Sequence, residues 1–399
     1  MGNRRTFFRQ TAAVIGASQI SVAQPRPGVT DYPRVYSGEH LKMIAFPLGG
    51  VGAGSLSLGG RGQLRDWEIF NKPNKGFSPN YAFPAIWARA GNAKPVTRVL
   101  EARILPPYEG ENGLGANNAP GLSRLESAKF TGEYPLARVD FQDRSLPVKV
   151  SLDAFSPFIP HEADDSGLPV AILRYTVSNP GATAADVSIA FSIDNPMKGA
   201  NEPLVSGTLS GLVMHSPELA SEDPMRGEFV LCAINAPETR TDVWRGWPQG
   251  RWWNSPMLFW DDFSDDGRLS AEPDPHNAVG VLSLQRTIAP GSSTNFTFVL
   301  AWRFPNRTPE WCGWSAPKGL GKTVIGNHYC TRFSTALAAA EYAAANLQRL
   351  ESGTRLFANA FRHSTLPAVI KEAASANLST LASTTCFRTA DGEFLGFEG

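Results

Sequence analysis

Between Pro33 and Arg303 the hydrophobic positions recur at every second residue. Phe296, Phe298, Leu300, Trp302 and Phe304 alternate with Thr297, Val299, Ala301 and Arg303, the mark of a strand packing one face strongly against a core. Val187, Ile189, Phe191 and Ile193 repeat the pattern, as do Leu173, Tyr175 and Val177, and Val148, Val150 and Leu152. Asn179-Pro180-Gly181, Ala289-Pro290-Gly291 and Asp266-Gly267 supply turns between such runs. Many antiparallel strands without intervening helices predict a mainly β fold, a large antiparallel β-sandwich over residues 33–330.

The period then changes to 3.6. Phe333, Leu337, Ala340, Ala344 and Leu347 share one face of a helix running from Thr331 towards Arg362, with Gly353 weakening its middle. A second helix begins at Ser364-Thr365-Leu366-Pro367, with Thr365 placed as N-cap and Pro367 in the first turn. Asp391-Gly392 predicts a hairpin turn between the Phe387 and Phe394 segments. Residues 331–399 therefore read as a helical linker and the first residues of a truncated further domain, closing at Phe397-Glu398-Gly399.

Composition narrows the partners. Lys plus Arg and Asp plus Glu both number 37 in 399 residues, so no net field gathers nucleic acid or an anionic membrane, and neutral ligands fit better. Ten tryptophans, 31 prolines and 37 glycines suit a turn-rich β protein whose rings serve a core or a sugar site. At the N-terminus, Arg4-Arg5-Thr6-Phe7-Phe8-Arg9 resembles a twin-arginine export signal, followed by a mildly apolar stretch and the small residues Ser21-Val22-Ala23. Residues 1–23 are thus expected to be a cleaved signal that sends the protein to the periplasm, the alternative being a disordered basic tail. No other stretch approaches the roughly 20 apolar residues of a membrane helix, so no stable membrane insertion is expected.

Several stretches imitate chemistry that their spacing does not support. Residues 42–71 hold seven glycines, but a dinucleotide fingerprint counted from Gly50 ends on Ser55, and from Gly52 on Ser57. The segment runs on into Leu64-Arg65-Asp66-Trp67-Glu68-Ile69-Phe70, which reads as a strand rather than a phosphate-holding helix. Gly49, Gly50, Gly52 and Gly54 instead suit close backbone approach or positive φ in a loop between strands. Ala316-Pro317-Lys318-Gly319-Leu320-Gly321-Lys322-Thr323 ends like a P-loop but starts with alanine and opens no helix, so it reads as a surface loop.

Cys232, Cys312, Cys330 and Cys386 are widely spaced and the six histidines dispersed, which argues against a zinc site. Four isolated buried thiols are the favoured reading, though export would permit a disulfide such as Cys312 to Cys330. Among the acids, Asp261, Asp262, Asp265 and Asp266 form a run around a turn, and Asp164-Asp165 another, both read as solvated loops. Asp66 and Glu68 flank Trp67 in a strand and are not expected to share a site. Glu393 and Glu398 carry no local signal for substrate. Trp244, Trp247, Trp252 and Trp253 crowd a loop-rich stretch where rings could stack on a sugar or pack into a core.

Three segments carry a family resemblance. Phe46-Pro47-Leu48-Gly49-Gly50-Val51-Gly52-Ala53-Gly54-Ser55, with Arg61-Gly62 and Trp67, resembles the opening motif of glycoside hydrolase family 116, which includes bacterial β-glucosidases and non-lysosomal glucosylceramidases. Phe259-Trp260-Asp261-Asp262-Phe263-Ser264-Asp265-Asp266-Gly267-Arg268-Leu269 is similar to a segment late in that family's β domain. The third runs from Gly326-Asn327-His328-Tyr329 and Thr331-Arg332-Phe333 through Ser364-Thr365-Leu366-Pro367 and Ser375-Ala376-Asn377-Leu378-Ser379-Thr380-Leu381 to Cys386-Phe387-Arg388 and Gly396-Phe397-Glu398-Gly399.

The resemblance implies an N-terminal sandwich joined by helices to an (α/α)6 barrel that carries a Glu and an Asp about 5 Å apart, as retaining chemistry requires. Both family positions lie downstream of Gly399, so the barrel is absent and no residue here inherits a catalytic role. Substrate-binding residues stay unassigned, and neither cofactor nor metal is implied. Two functions follow. One is the non-catalytic front part of an exported retaining β-glycosidase, meeting a β-glycoside or glycolipid substrate through the absent barrel. The other is a stand-alone carbohydrate-binding or protein-interaction module, pairing with a separate barrel.

Overall fold

The computed structural model describes residues 31–106, 115–252 and 254–397, so the expected signal at 1–23 lies outside the described residues. The described chain starts with β1 (Arg34–Ser37), followed by a small sheet of β2 (Ala45–Leu48), β3 (Leu56–Gly59) and β4 (Leu64–Arg65). Next come β5 (Phe83–Ala90), β6 (Val96–Ala102), β7 (Arg124–Leu125), β8 (Ser127–Glu133), β9 (Leu136–Gln142) and β10 (Lys149–Phe155). A single-turn helix α1 (Ala163–Ser166) precedes β11 (Val170–Ser178), β12 (Ala185–Asp194), β13 (Ala200–Ser206), β14 (Leu209–His215), β15 (Glu228–Ile234) and β16 (Arg240–Trp244). Helix α2 (Ser255–Asp266) separates these from β17 (Val279–Ile288) and β18 (Ser293–Arg303).

Two large sheets result. One has nine strands in the order β1-β8-β9-β10-β11-β18-β15-β14-β13, and the other six, β16-β17-β12-β5-β6-β7. Their facing sides share one core, in which Phe191 of the smaller sheet meets Phe298 of the larger with ring centroids 5.4 Å apart. The expected β-sandwich is present.

The strands are more deeply buried than a one-faced pattern implies. On β18, Val299 and Ala301 are as inaccessible as Phe298 and Leu300, because the larger sheet is covered a second time. The cover is α5 (Ala336–Ala345), whose Ala336, Ala339, Ala340 and Ala343 lie in the shared core. Alanine lets the helix axis approach the sheet closely while keeping high helix propensity. Thr335 caps it, its hydroxyl accepting from Ala338 N at 3.0 Å. The smaller sheet's outer face is covered by α2, through Phe259 and Phe263.

That helix corrects the expectation of a helix-free β region. The acidic run 261–266 lies on α2 rather than around a turn, and Gly267 is its C-cap at φ 77°. The helical segment is also more broken than its period suggests. After α3 (Pro309–Cys312), the single turn α4 (Tyr329–Arg332) stops at Phe333, and Asn346 divides α5 from α6 (Leu347–Arg362). Gly353, expected to weaken the helix, sits inside α6, where a Cβ would lie 2.9 Å from Ile159. Helix α7 (Ala368–Leu378) starts with Pro367 as N-cap, two residues later than expected from Thr365. The hairpin predicted at Asp391-Gly392 is present as β19 (Cys386–Arg388) and β20 (Phe394–Gly396). Tyr32–Gly399 forms one compact unit, and among the described residues there is no barrel of helices.

Candidate functional site

The first and third motif segments meet in one place. The glycine-rich loop joins β2 to β3, and its backbone is bonded to four other parts of the chain. Val51 N donates to Ser166 O (2.7 Å), Gly52 N to Leu381 O (3.1 Å), and Arg388 N returns a bond to Gly52 O (3.2 Å). Trp302 Nε1, from the end of β18, donates to Ala53 O at 2.8 Å. These approaches leave no room for side chains: a Cβ on Gly50 would lie 2.3 Å from Leu168 O. Gly52 combines φ of +69° with a Cβ position 2.8 Å from Arg388 N. Its glycines serve close packing against protein backbone, as the loop reading expected.

Around this loop the charged side chains pair with one another. Asp164 Oδ1 accepts from Arg388 Nη1 at 2.7 Å, its main-chain oxygen accepts from Arg332, and His328 Nδ1 stands 3.9 Å from its carboxylate. The Arg388 bond holds the Asp164 carboxyl below the usual range against a smaller effect of burial. Burial, then the neighbouring Arg388, lowers the pKa of His328, and Asp164 offsets part of this. Asp165 accepts from Tyr342 Oη (2.7 Å) and Arg349 Nη1 (2.5 Å). Burial pushes its carboxyl up, but these two bonds with the Arg349 charge leave it lowered. The space enclosed by Gly52, Asp164, His328 and Arg388 is about 10 Å³, the size of one water. Asp164 and Asp165, read from sequence as a solvated loop, are ties between α1 and the helical segment.

Beneath the ions lies a buried polar cluster that the sequence reading did not single out. Asn327 Nδ2 donates to Asn71 Oδ1 and Phe304 O, both at 2.8 Å, while Asn327 Oδ1 accepts from Arg307 Nε at 2.8 Å. Arg307 is fully buried with its guanidinium 4.4 Å from the Phe387 ring, and burial lowers its pKa. Its Nη1 has no hydrogen-bond partner among the described residues. Asn71 ends the glycine-rich 42–71 stretch and Asn327 lies in the third motif segment, but a lone Asn in a sequence gives no sign of being buried.

Asp66 and Glu68 depart from expectation. Only Leu64–Arg65 is strand, and Asp66 takes φ +49°, which ends it. Both carboxylates, almost wholly buried, grip the same loop: Gly76 N donates to Asp66 Oδ1 (2.6 Å), Asn74 N to Glu68 Oε1 (2.9 Å) and Lys75 Nζ to Glu68 Oε2 (2.8 Å).

The remaining candidates are scattered. Trp244 and Trp247 are buried, with Trp247 stacked on Phe259 at 5.0 Å, whereas Trp252 is 90% exposed; Trp253 lies outside the described residues. Asp262 accepts from Ser270 N and Ala271 N, so it caps a turn beside α2. The 316–323 segment is a surface loop, as expected. All four cysteines are free thiols, Cys232 and Cys312 buried and Cys330 and Cys386 half-buried. Glu393 is exposed on the hairpin, and Glu398 lies outside the described residues.

Residues 45–350, more than three-quarters of the chain, match the model of the beta-glucosidase 2, glycosyl-hydrolase family 116 N-terminal domain. The chain belongs to glycoside hydrolase family 116. The family 116 match takes in the glycine loop, the Asp66–Glu68 segment, α1, α2, α4 and α5. Similar solved structures are remote. A GH36 α-galactosidase from Geobacillus stearothermophilus is 12% identical over 68% of this chain and 41% of its own, with a TM-score of 0.32. A GH92 α-mannosidase from Bacteroides thetaiotaomicron is 11% identical over 89% of this chain and 42% of its own, with a TM-score of 0.30. The chain thus spans about two-fifths of the length of either.

Proposed function

We propose that this chain is the non-catalytic N-terminal part of an exported retaining β-glycosidase, β-glucosidase-like or glucosylceramidase-like, and supports a helical barrel that holds the two catalytic carboxylates. The observation that carries this is the family 116 match over residues 45–350. Four acids within it are committed to structure: Asp66 and Glu68 to the 74–76 loop, Asp164 to Arg388 of the hairpin, and Asp165 to Tyr342 and Arg349 of α5 and α6. In the two-step reaction one carboxylate of the barrel attacks the anomeric carbon while the second protonates the leaving oxygen; that second group then deprotonates the water which releases the sugar. Such chemistry uses no cofactor.

Exposed apolar residues on the helices support a partner barrel: Leu356 on α6 and Val369 and Ile370 on α7 are 72%, 55% and 49% accessible. The arginine pair Arg4-Arg5 and the residues Ser21-Val22-Ala23 support export to a periplasm. The stand-alone binding module is the second reading, favoured by the exposure of Trp252.

The test is hydrolysis of an aryl β-glucoside by the 399-residue chain alone and by the same chain joined to a family 116 helical domain. Turnover only in the joined protein is the expected result. Turnover by the chain alone contradicts the proposal.

A further inference from the structure

One edge of the larger sheet opens into a cleft that nothing above uses. Strand alternation puts Tyr32, Arg34 and Tyr36 on one side of the chain while Val35 points to solvent, 58% exposed. Arg34 pairs with Gly132 and Tyr36 with Phe130 across β1 and β8. This part of the sheet lines the cleft together with β2 and the α7 segment. Gly132 helps to open the space, since a Cβ there would stand 3.1 Å from Phe130 and 3.6 Å from Phe46. The opposite wall consists of small residues of the α7 segment, Ser375, Ala376 and Ser379. The result is a cleft of about 360 Å³, within the range of roughly 300–1,000 Å³ usual for small-molecule sites.

Its lining is half aromatic and half polar. Phe46 lies 6.1 Å from both Phe130 and Tyr134, forming a ring wall that continues to Tyr36. Facing it, Arg34 Nη2 and Glu372 Oε2 are paired at 2.6 Å across the rim, one charge of each sign. Tyr32 Oη is buried beside Ser375 with no hydrogen bond of ordinary geometry among the described residues. A buried hydroxyl that Ser375 satisfies only in poor geometry can take a hydrogen bond from a ligand. An acyl chain would leave the guanidinium, carboxylate and hydroxyls dry and uncompensated. An anion or cation would meet an equal charge of its own sign. A sugar ring matches both halves, with its C–H face on the rings and its hydroxyls on the paired ions.

We propose that the cleft between β1, β2 and α7 is a binding site for a neutral saccharide. Arg34 and Glu372 bind hydroxyls, and Tyr36 supplies a stacking face. Because the exposed Arg34–Glu372 bridge contributes little by itself, its two members can exchange each other for sugar hydroxyls at small cost.

Saturation-transfer NMR on the 399-residue chain with cellotriose tests this. Transfer to the trisaccharide is expected, weakened about tenfold in affinity by Tyr36→Ala, which removes the ring, and by Ala376→Trp, which fills the cleft from an exposed helix position. Ala376→Trp keeps the test decisive if Tyr36→Ala unfolds, and thermal midpoints identify that case. Absence of transfer to the wild type overturns the proposal, as does transfer undiminished in Ala376→Trp, or displacement of cellotriose by octanoate, which would mark an acyl site. None of these results involves glycoside hydrolysis, so their failure leaves the catalytic-partner proposal standing.

Discussion

The β11–β18 ladder and the glycine-loop junction both have buried centres, yet they are held by different physics. In the ladder, Leu173, Tyr175, Phe298 and Leu300 are sealed between the second sheet and α5, and burial of apolar surface supplies the stability. At the junction, main-chain bonds from the loop reach Ser166, Leu381 and Arg388, and Asn327 and Arg307 are buried with polar partners. The ladder tolerates changes that conserve volume, whereas the junction depends on geometry and on filled hydrogen bonds.

Substitutions at the two regions should sharpen this contrast, beginning with the ladder. Phe298→Ala is expected to cost about 3–5 kcal/mol by chemical denaturation, with Phe298→Leu recovering most of it. Asn327→Ala should cost about 3 kcal/mol, since it strips Arg307 Nε and Asn71 Oδ1 of buried partners, and no conservative replacement should restore it. An equal recovery by Asn327→Leu would break the distinction. Gly52→Ala should cost about 2 kcal/mol from its positive φ and the close Arg388 N.

The smallest effects are the ionic ones, and pH separates them. Asp165→Asn should cost about 1 kcal/mol near neutral pH, because Arg349 is half exposed. The folded-state pKa of Asp165 lies below its unfolded value, so its contribution is full above that unfolded value and disappears as pH falls through the folded one. His328 has a lowered pKa, so the unfolded chain binds more protons below about pH 6.5 and stability falls as pH drops through that window. His328→Gln should flatten this part of the stability profile, read from thermal midpoints across pH. A slope unchanged in His328→Gln would remove His328 from the account.

Much of the ladder was legible because alternation directly reports burial of a strand face. Its second cover was not, since Val299 and Ala301 look like ordinary outward positions until α5 lies on them. Helix α2 was hidden by its acidic residues and by a Gly267 that reads equally well as turn or C-cap. At the junction, the sequence indicated that the glycines serve close approach but not what they approach. That Asp66 and Glu68 serve one loop was open to reading, since residues two apart in a strand share a face; what the sequence did not show was the positive φ that ends the strand at Asp66 and the 74–76 loop that both carboxylates grip.

On the proposed function, Asp66 and Glu68 build structure and take no part in the chemistry. The most direct test is turnover of an aryl β-glucoside by the chain joined to a family 116 helical domain, carrying Asp66→Asn and Glu68→Gln. The account predicts a lowered thermal midpoint with kcat within about threefold of the parent below that midpoint. A loss of about a thousandfold in kcat with the midpoint unchanged would contradict it and place one of these carboxylates at the reacting bond.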